Sequence, residues 1–533
     1  MTWFENAVFY HVYPLGLTGA PARNDYAEPV RRLDAVRPWV EHLAGLGCSA
    51  LYIGPLFESV GHGYETSDYR KLDSRLGTNE DLTAFVQYCH GLGVRVILDA
   101  VFNHTGRDFF AFRDILERRE ASAYRDWYRV DFGRDNGYHD GFSYETWGGC
   151  ELLAKLNLQN PAVVRYHLDT VRFWVDEFDI DGLRLDAADV LDFGFLRALR
   201  DFTDRLKPEF WLMGEVIHGD YSRWVNDGML HSVTNYRLHK ALYSSHNEGN
   251  YFELAHTVEQ LGALSEKLYT FVDNHDVERI QTRLRCKANY LPVHVLLFTL
   301  PGIPSVYYGS EFAVEGRKEQ YSDASLRPAL RLEDWRDEPH AGLIRTLAQT
   351  RKHEPALRRG SYEKLVLATG FFAFARREGE REVLVAVNNG GAPVSLTLPA
   401  RLAAYRSALH GGSLRAENGQ LRLELAPCGA ELLLPEDGGA APERDEIPKR
   451  TEWKAALERT LQAQPAQERA PAREPVPAAP PAGKSIDEMT VPELQALILQ
   501  KLASNGPVTD RMRQDVTDNV YLNSLRNWAR SFR

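Results

Sequence analysis

Arg184 and Asp186 stand two residues apart at the end of a largely apolar run, Ile180 to Leu185. Such a run reads as a parallel strand covered on both faces. Residues two apart leave the same face of a strand, and a guanidinium beside a carboxylate favours its ionised form. An ionised carboxylate at a strand end suits a nucleophile; the pair reads as well as a structural ion pair. Glu215 follows the apolar run Trp211-Leu212-Met213-Gly214, a setting that should raise its pKa toward that of a working acid. Two other runs end in polar clusters, Asp99-Ala100-Val101-Phe102-Asn103-His104 and Asp273-Asn274-His275-Asp276. Singly each is a weak signal, and Asn103-His104 could be a satisfied polar turn. Their shared position at strand ends makes them a candidate site.

The elements that carry them follow a regular order. Strands are expected at Val8–Tyr13, Ala50–Ile53, Val94–Val101, Gly182–Asp186, Phe210–Glu215, His231–Tyr236, Leu268–Val272 and Ser305–Tyr308, with helical segments between. Eight strands alternating with helices predict an α/β chain built on a (β/α)₈ TIM barrel, spanning residues 1–104 and 161–358. The polar clusters then meet at the C-terminal rim, where barrel active sites form. Residues 105–160 are a long insertion after strand three, holding Trp127, Tyr128, Phe132, Tyr138, Tyr144 and Trp147. Most of these aromatics read as that small domain's own core, leaving one or two to stack on a ligand's flat apolar face. Alternating strand-like runs with Asn389-Gly390-Gly391 and Glu417-Asn418-Gly419 turns predict a C-terminal β-sandwich over 359–435. A Pro/Ala-rich linker is expected over 436–484. A small helical module is expected over 485–533, with an apolar face of Leu494, Leu497, Ile498 and Leu502.

Asp99–His104, Gly182–Val190, Gly214–His218 and Phe271–Asp276 resemble the four conserved stretches of the α-amylase family of glycoside hydrolases. His62–Tyr69 is similar to that family's loop after strand two, and Leu153–Asn157 to a fifth stretch in the form of the neopullulanase and cyclomaltodextrinase branch. The resemblance covers about residues 1–435. It implies Asp186 as nucleophile, Glu215 as acid and base, and Asp276 as a third carboxylate gripping ring hydroxyls. It also implies His104 and His275 on hydroxyls of the cleaved sugar, Tyr64 stacked on its face, Arg184 behind the nucleophile, and Asp323 and Arg327 as further contacts. For that last pair a plain ion pair is an equal reading. The branch usually carries Asn-Glu where this chain has Asp189, Trp in place of Ile217, and an N-terminal sandwich domain, whereas strand one is expected here at Val8.

The resemblance implies an α-glucan oligosaccharide substrate, cleaved at α-1,4 bonds in maltooligosaccharides, cyclodextrins or relatives, with transfer to sugar acceptors. A glucanotransferase or sucrose-type enzyme is the alternative. A non-catalytic sugar-binding or partner-binding barrel is disfavoured by the three retained carboxylates. No cofactor is expected. Asn103 matches a calcium-ligand position of many α-amylases, but no set of six to eight oxygens accompanies it, so no metal is expected there. A formal net charge of -11 argues against a nucleic-acid partner. Neither a secretory signal nor a membrane-length apolar run is visible. The five scattered cysteines, Cys48, Cys89, Cys150, Cys286 and Cys428, lack a C-x-x-C pair and indicate no disulfide framework. A cytoplasmic enzyme is expected, of unspecified oligomeric state.

Overall fold

The computed structural model of the protein describes residues 2–436 apart from 321, 336 and 337, together with 447, 452 and 491–504. The chain divides into two units, Met1–Leu457 and Glu458–Arg533. In the second, a helix spans Val491–Ser504, with Leu494, Ala496 and Ile498 buried. The rest of the expected linker and helical module lies largely outside the described residues.

In the first unit eight parallel strands form one sheet: β1 Phe9–Val12, β2 Ala50–Ile53, β3 Arg95–Ala100, β4 Gly182–Leu185, β5 Trp211–Gly214, β6 Ser232–Val233, β7 Tyr269–Thr270 and β8 Ile303–Tyr307. Their order is β6-β5-β4-β3-β2-β1-β8-β7, and a parallel bridge from Thr234 to Tyr269 joins the two edges and closes the barrel. β6 is shorter than expected, because the Asn235 side chain accepts the Leu238 N–H and starts the helix Tyr236–Asn247. An Asx cap competes directly with strand geometry at that point.

Inward positions change character along the barrel axis. Phe9, Ala50, Ile97, Trp211, Met213, Tyr269 and Ile303 form an apolar interior, to which Trp3 and Phe4 add from the N-terminus. Gly182 makes room for this layer: a Cβ there would lie 2.5 Å from the Trp211 carbonyl oxygen. One inward step further along, His11, Tyr52, Asp99 and Arg184 replace the hydrocarbons. Gly54 admits that layer, since its Cβ would lie 2.3 Å from Cβ of Asp99.

The insertion is sewn to the barrel. His104–Thr105 pairs antiparallel with Cys150–Lys155, Lys155 opposite His104, and Thr105 Oγ1 lies 2.8 Å from Tyr128 Oη. Trp127 and Tyr128 are buried as expected of a core, whereas Tyr138 and Trp147 are exposed. Beyond the barrel, six strands between Ser361 and Pro435 form one antiparallel sheet, and Val394–Pro399 pairs with Gln420–Leu425 in another. Leu396, Leu398, Leu421, Leu423 and Leu425 cover one face of the larger sheet. Its other face, with Phe372, Phe374, Val383, Val385 and Leu432, packs into the barrel's core.

Arg376 crosses this junction with no exposed side-chain surface. Its guanidinium donates to the carbonyls of Gly360 and Thr299 at 3.0 Å each and faces Glu266. Burial pushes its pKa down, with Glu266 opposing. Arg376→Met should leave buried carbonyls unpaired and destabilise the protein by about 3 kcal/mol. A lowered urea midpoint, with the barrel and sandwich still folded at low urea, is the expected reading.

Candidate active site

β4 and β5 run in register, Leu185 opposite Gly214, so Asp186 and Glu215 are the next residues on neighbouring strands. Backbone bonds hold both: Asp186 N–H donates to Ala100 O (3.0 Å) and Glu215 N–H to Leu185 O (2.9 Å). Between them lies Arg184, whose side chain is 3% exposed. Its Nη1 contacts Asp99 at 2.8 Å and Asp186 at 2.9 Å, and its Nη2 contacts Glu215 at 2.8 Å. Adjacent strands lie ~4.8 Å apart, and both carboxylates meet the same guanidinium, so the two acids stand close together.

Two electrostatic expectations need correction. Asp186 is not held low by its arginine. Burial pushes its pKa well above the usual carboxylate range; Arg184 opposes this, and Glu215, Asp99 and Asp276 add to the rise. One guanidinium is divided among three carboxylates, so its charge does not fully offset any of them. Nor does the Glu215 carboxylate sit among the apolar residues that precede it. It contacts Arg184, accepts the Ala187 N–H at 3.2 Å and accepts from Tyr236 Oη at 3.4 Å.

Asp276 follows β7 and is one-third exposed. Burial opposes its charge, yet His275 (2.9 Å), Arg327 (2.8 Å) and Arg184 hold it well below the usual carboxylate range. His275 Nε2 also meets Tyr64 Oη, which donates to Asp99 at 3.0 Å. Arg327 lies over the Tyr13 ring, 4.6 Å from its centroid, and reaches Asp323 at 3.3 Å. Asp323 and Arg327 therefore are an ion pair and also part of the cleft. His104 is buried, which lowers its pKa to about 3, and its Nε2 has no protein partner. A neutral imidazole with a free ring nitrogen is suited to a sugar hydroxyl.

A cleft of about 760 Å³ gathers Tyr64, His104, Asp186, Glu215, Asp276, Asp323 and Arg327. Arg184 lies behind the carboxylates and His275 is 2% exposed, so both act on the cleft through their neighbours. Sequence reasoning left out Asp99, Tyr236 and, as a named contact, Trp147. Trp147 is 41% exposed, lines the cleft and stands 6.2 Å from His104, ring to ring.

Asn103 Oδ1 is buried without a partner. Among the described residues, however, no group of three or more His, Cys, Asp or Glu stands close enough to hold a metal.

Residues 32–360 match the α-amylase catalytic domain. The chain belongs to the α-amylase family of glycoside hydrolases. Within the family it is 30% identical over 414 residues to a cyclomaltodextrinase of Bacillus sp, covering 73% of each chain. It is 30% identical to neopullulanase 2 of Thermoactinomyces vulgaris, over 81% of this chain and 78% of that one. Among solved structures, the cyclic α-maltosyl-(1→6)-maltose hydrolase of Arthrobacter globiformis superposes with a TM-score of 0.71 at 27% identity, covering 82% of this chain and all of that one. No helix among the described residues is long and apolar enough to cross a membrane.

The raised Asp186 pKa sets two expectations. A carboxylate whose folded pKa exceeds its unfolded value loses stabilisation as pH rises through the folded value. Asp186→Asn should therefore match or exceed the wild-type Tm at pH 7 while kcat falls by roughly three orders of magnitude or more. The acid limb of the kcat/KM profile should lie above the usual carboxylate range, because Asp186 gains its proton early as pH falls. For Trp147→Ala, KM should rise several-fold with little change in Tm, as loss of one stacking face predicts.

Proposed function

We propose that this chain is a retaining hydrolase of α-1,4-glucosidic bonds in small linear or cyclic maltooligosaccharides. The observation that carries the reading is the in-register placement of Asp186 and Glu215 around one buried guanidinium. In this mechanism Asp186 attacks the anomeric carbon while Glu215 gives its proton to the departing oxygen. The resulting glycosyl ester on Asp186 is opened by a water that Glu215 deprotonates. Asp276 and His104 grip hydroxyls of the reacting sugar, His275 holds Asp276 in place, Tyr64 lies under the ring, and Asp323 and Arg327 add contacts in the same subsite. A sugar hydroxyl in place of water gives transfer.

Support for the substrate class comes from relatives named cyclomaltodextrinase, neopullulanase and maltogenic α-amylase. One specific observation favours a second reading. The similarity to the Arthrobacter cyclic α-maltosyl-(1→6)-maltose hydrolase, at 27% identity and a TM-score of 0.71, supports a small ring containing α-1,6 links as a competing substrate. We place the enzyme in the cytoplasm, a reading supported by its 28% identity over 345 residues to an intracellular maltogenic amylase of Bacillus subtilis.

The test compares kcat/KM on β-cyclodextrin, maltohexaose, cyclic maltosyl-maltose, pullulan and soluble starch, with NMR of the first product. The α-anomer should appear first, and small substrates should exceed starch by at least tenfold. A β-anomer appearing first defeats retention, and a preference for starch defeats the substrate reading.

A further inference from the structure

Cys286 and Cys428 are 142 residues apart in the chain, yet their sulfurs lie 3.5 Å from one another. Cys286 is exposed in the segment between the helices Ile280–Arg283 and Tyr290–Thr299, on the barrel. Cys428 is half-buried in the turn before the strand Ala430–Pro435, on the sandwich. That turn holds Cys428 at φ 49°, a left-handed conformation that residues with a Cβ adopt uncommonly. Its N–H donates to Gly390 O and the following Gly429 N–H to Ala426 O, so the thiol is carried on a fixed loop. A disulfide needs an S–S distance of ~2.05 Å, and a small rotation of the exposed Cys286 side chain closes the gap.

We propose that Cys286 and Cys428 form a reversible disulfide that ties the catalytic barrel to the sandwich. A low-molecular-weight disulfide such as glutathione disulfide is the oxidant. Cys286, exposed between Arg285 and Lys287, is open to such an anionic reagent. Burial and the neighbouring Cys286 raise the Cys428 pKa to about 11, so Cys286 reacts first. Its thiolate attacks one sulfur of the reagent, forming a mixed disulfide and releasing one glutathione thiolate. The Cys428 thiolate then attacks Cys286 Sγ, and the second glutathione leaves. Two protein thiols are oxidised, one glutathione disulfide is reduced to two thiols, and the two protein protons pass to solvent or to the released thiolates. The remaining cysteines act as internal controls. Cys48 and Cys89 are buried, and Cys150 is exposed on the insertion with no thiol partner among the described residues.

The bridge would fasten the stretch that follows Arg283, a cleft-lining residue stacked 3.8 Å from the centroid of Tyr243. Closing so long a loop restricts the unfolded chain strongly. The full-length protein is treated with glutathione disulfide and digested for mass mapping. The expected result is one peptide pair joined through Cys286 and Cys428, a glutathione adduct left on Cys150, and an unfolding midpoint several degrees higher, all reversed by dithiothreitol. C428S should stop with glutathione on Cys286 and show no rise in midpoint. A lasting glutathione adduct on Cys286 of the wild type, or a Cys286–Cys428 link found only between copies, would overturn the proposal.

Discussion

One guanidinium shared by three carboxylates is the constraint around which the barrel is arranged. Arg184 meets Asp99, Asp186 and Glu215 with its side chain almost wholly buried. Charges this deep are costly to desolvate, and each must be offset by close, well-placed partners. Burial raises the proton affinity of Asp186, Arg184 opposes the rise, and the neighbouring Glu215, Asp99 and Asp276 add to it. Retaining chemistry needs one of two neighbouring carboxyl groups protonated and the other bare. Turnover therefore requires a pH at which Asp186, the nucleophile, has given up its proton.

The rest of the barrel makes this arrangement tolerable. Below Arg184 the interior is hydrocarbon, closed by Trp211, Phe9 and the N-terminal Trp3 and Phe4, so water reaches the charged layer only from the cleft. The glycines at 182 and 54 let Trp211 and Asp99 pack where any side chain would collide. Across the same rim, Asp276 takes the other extreme: His275 and Arg327, the latter shared with Asp323, flank it and it stays ionised. Two carboxylates on one rim thus differ in proton affinity through burial and the charges that flank each.

Strand order, the rim position of the site and most of its members were legible from the sequence, because strand-end motifs are local and hydrophobic periodicity marks the elements. What escaped depended on sums over distant residues. Asp99 stood in a quoted motif, yet its partners Tyr52, Tyr64 and Arg184 come from three other parts of the chain. The spacing of Arg184 and Asp186 announced an ion pair but not the two further claimants on the same guanidinium. The apolar run before Glu215 pointed into the barrel, whereas the carboxylate itself emerged beside Arg184 and Tyr236. Trp127 and Trp147 are alike in a sequence, and only the fold of the insertion buries one and turns the other to the cleft. β6 ended early because a side-chain cap outweighed a strand-like run.

The antiparallel pairing of Lys155 with His104 makes the insertion's last strand and the edge bearing a candidate sugar contact a single ribbon. A wall hydrogen-bonded to the floor in this way cannot swing like a hinged lid, so the aperture of the cleft is a built-in dimension. Lineages that lengthen or shorten the tip between Gly106 and Gly149 would alter which glucans fit while leaving the acid–base machinery untouched. The ribbon works as a fixed gauge with an exchangeable jaw.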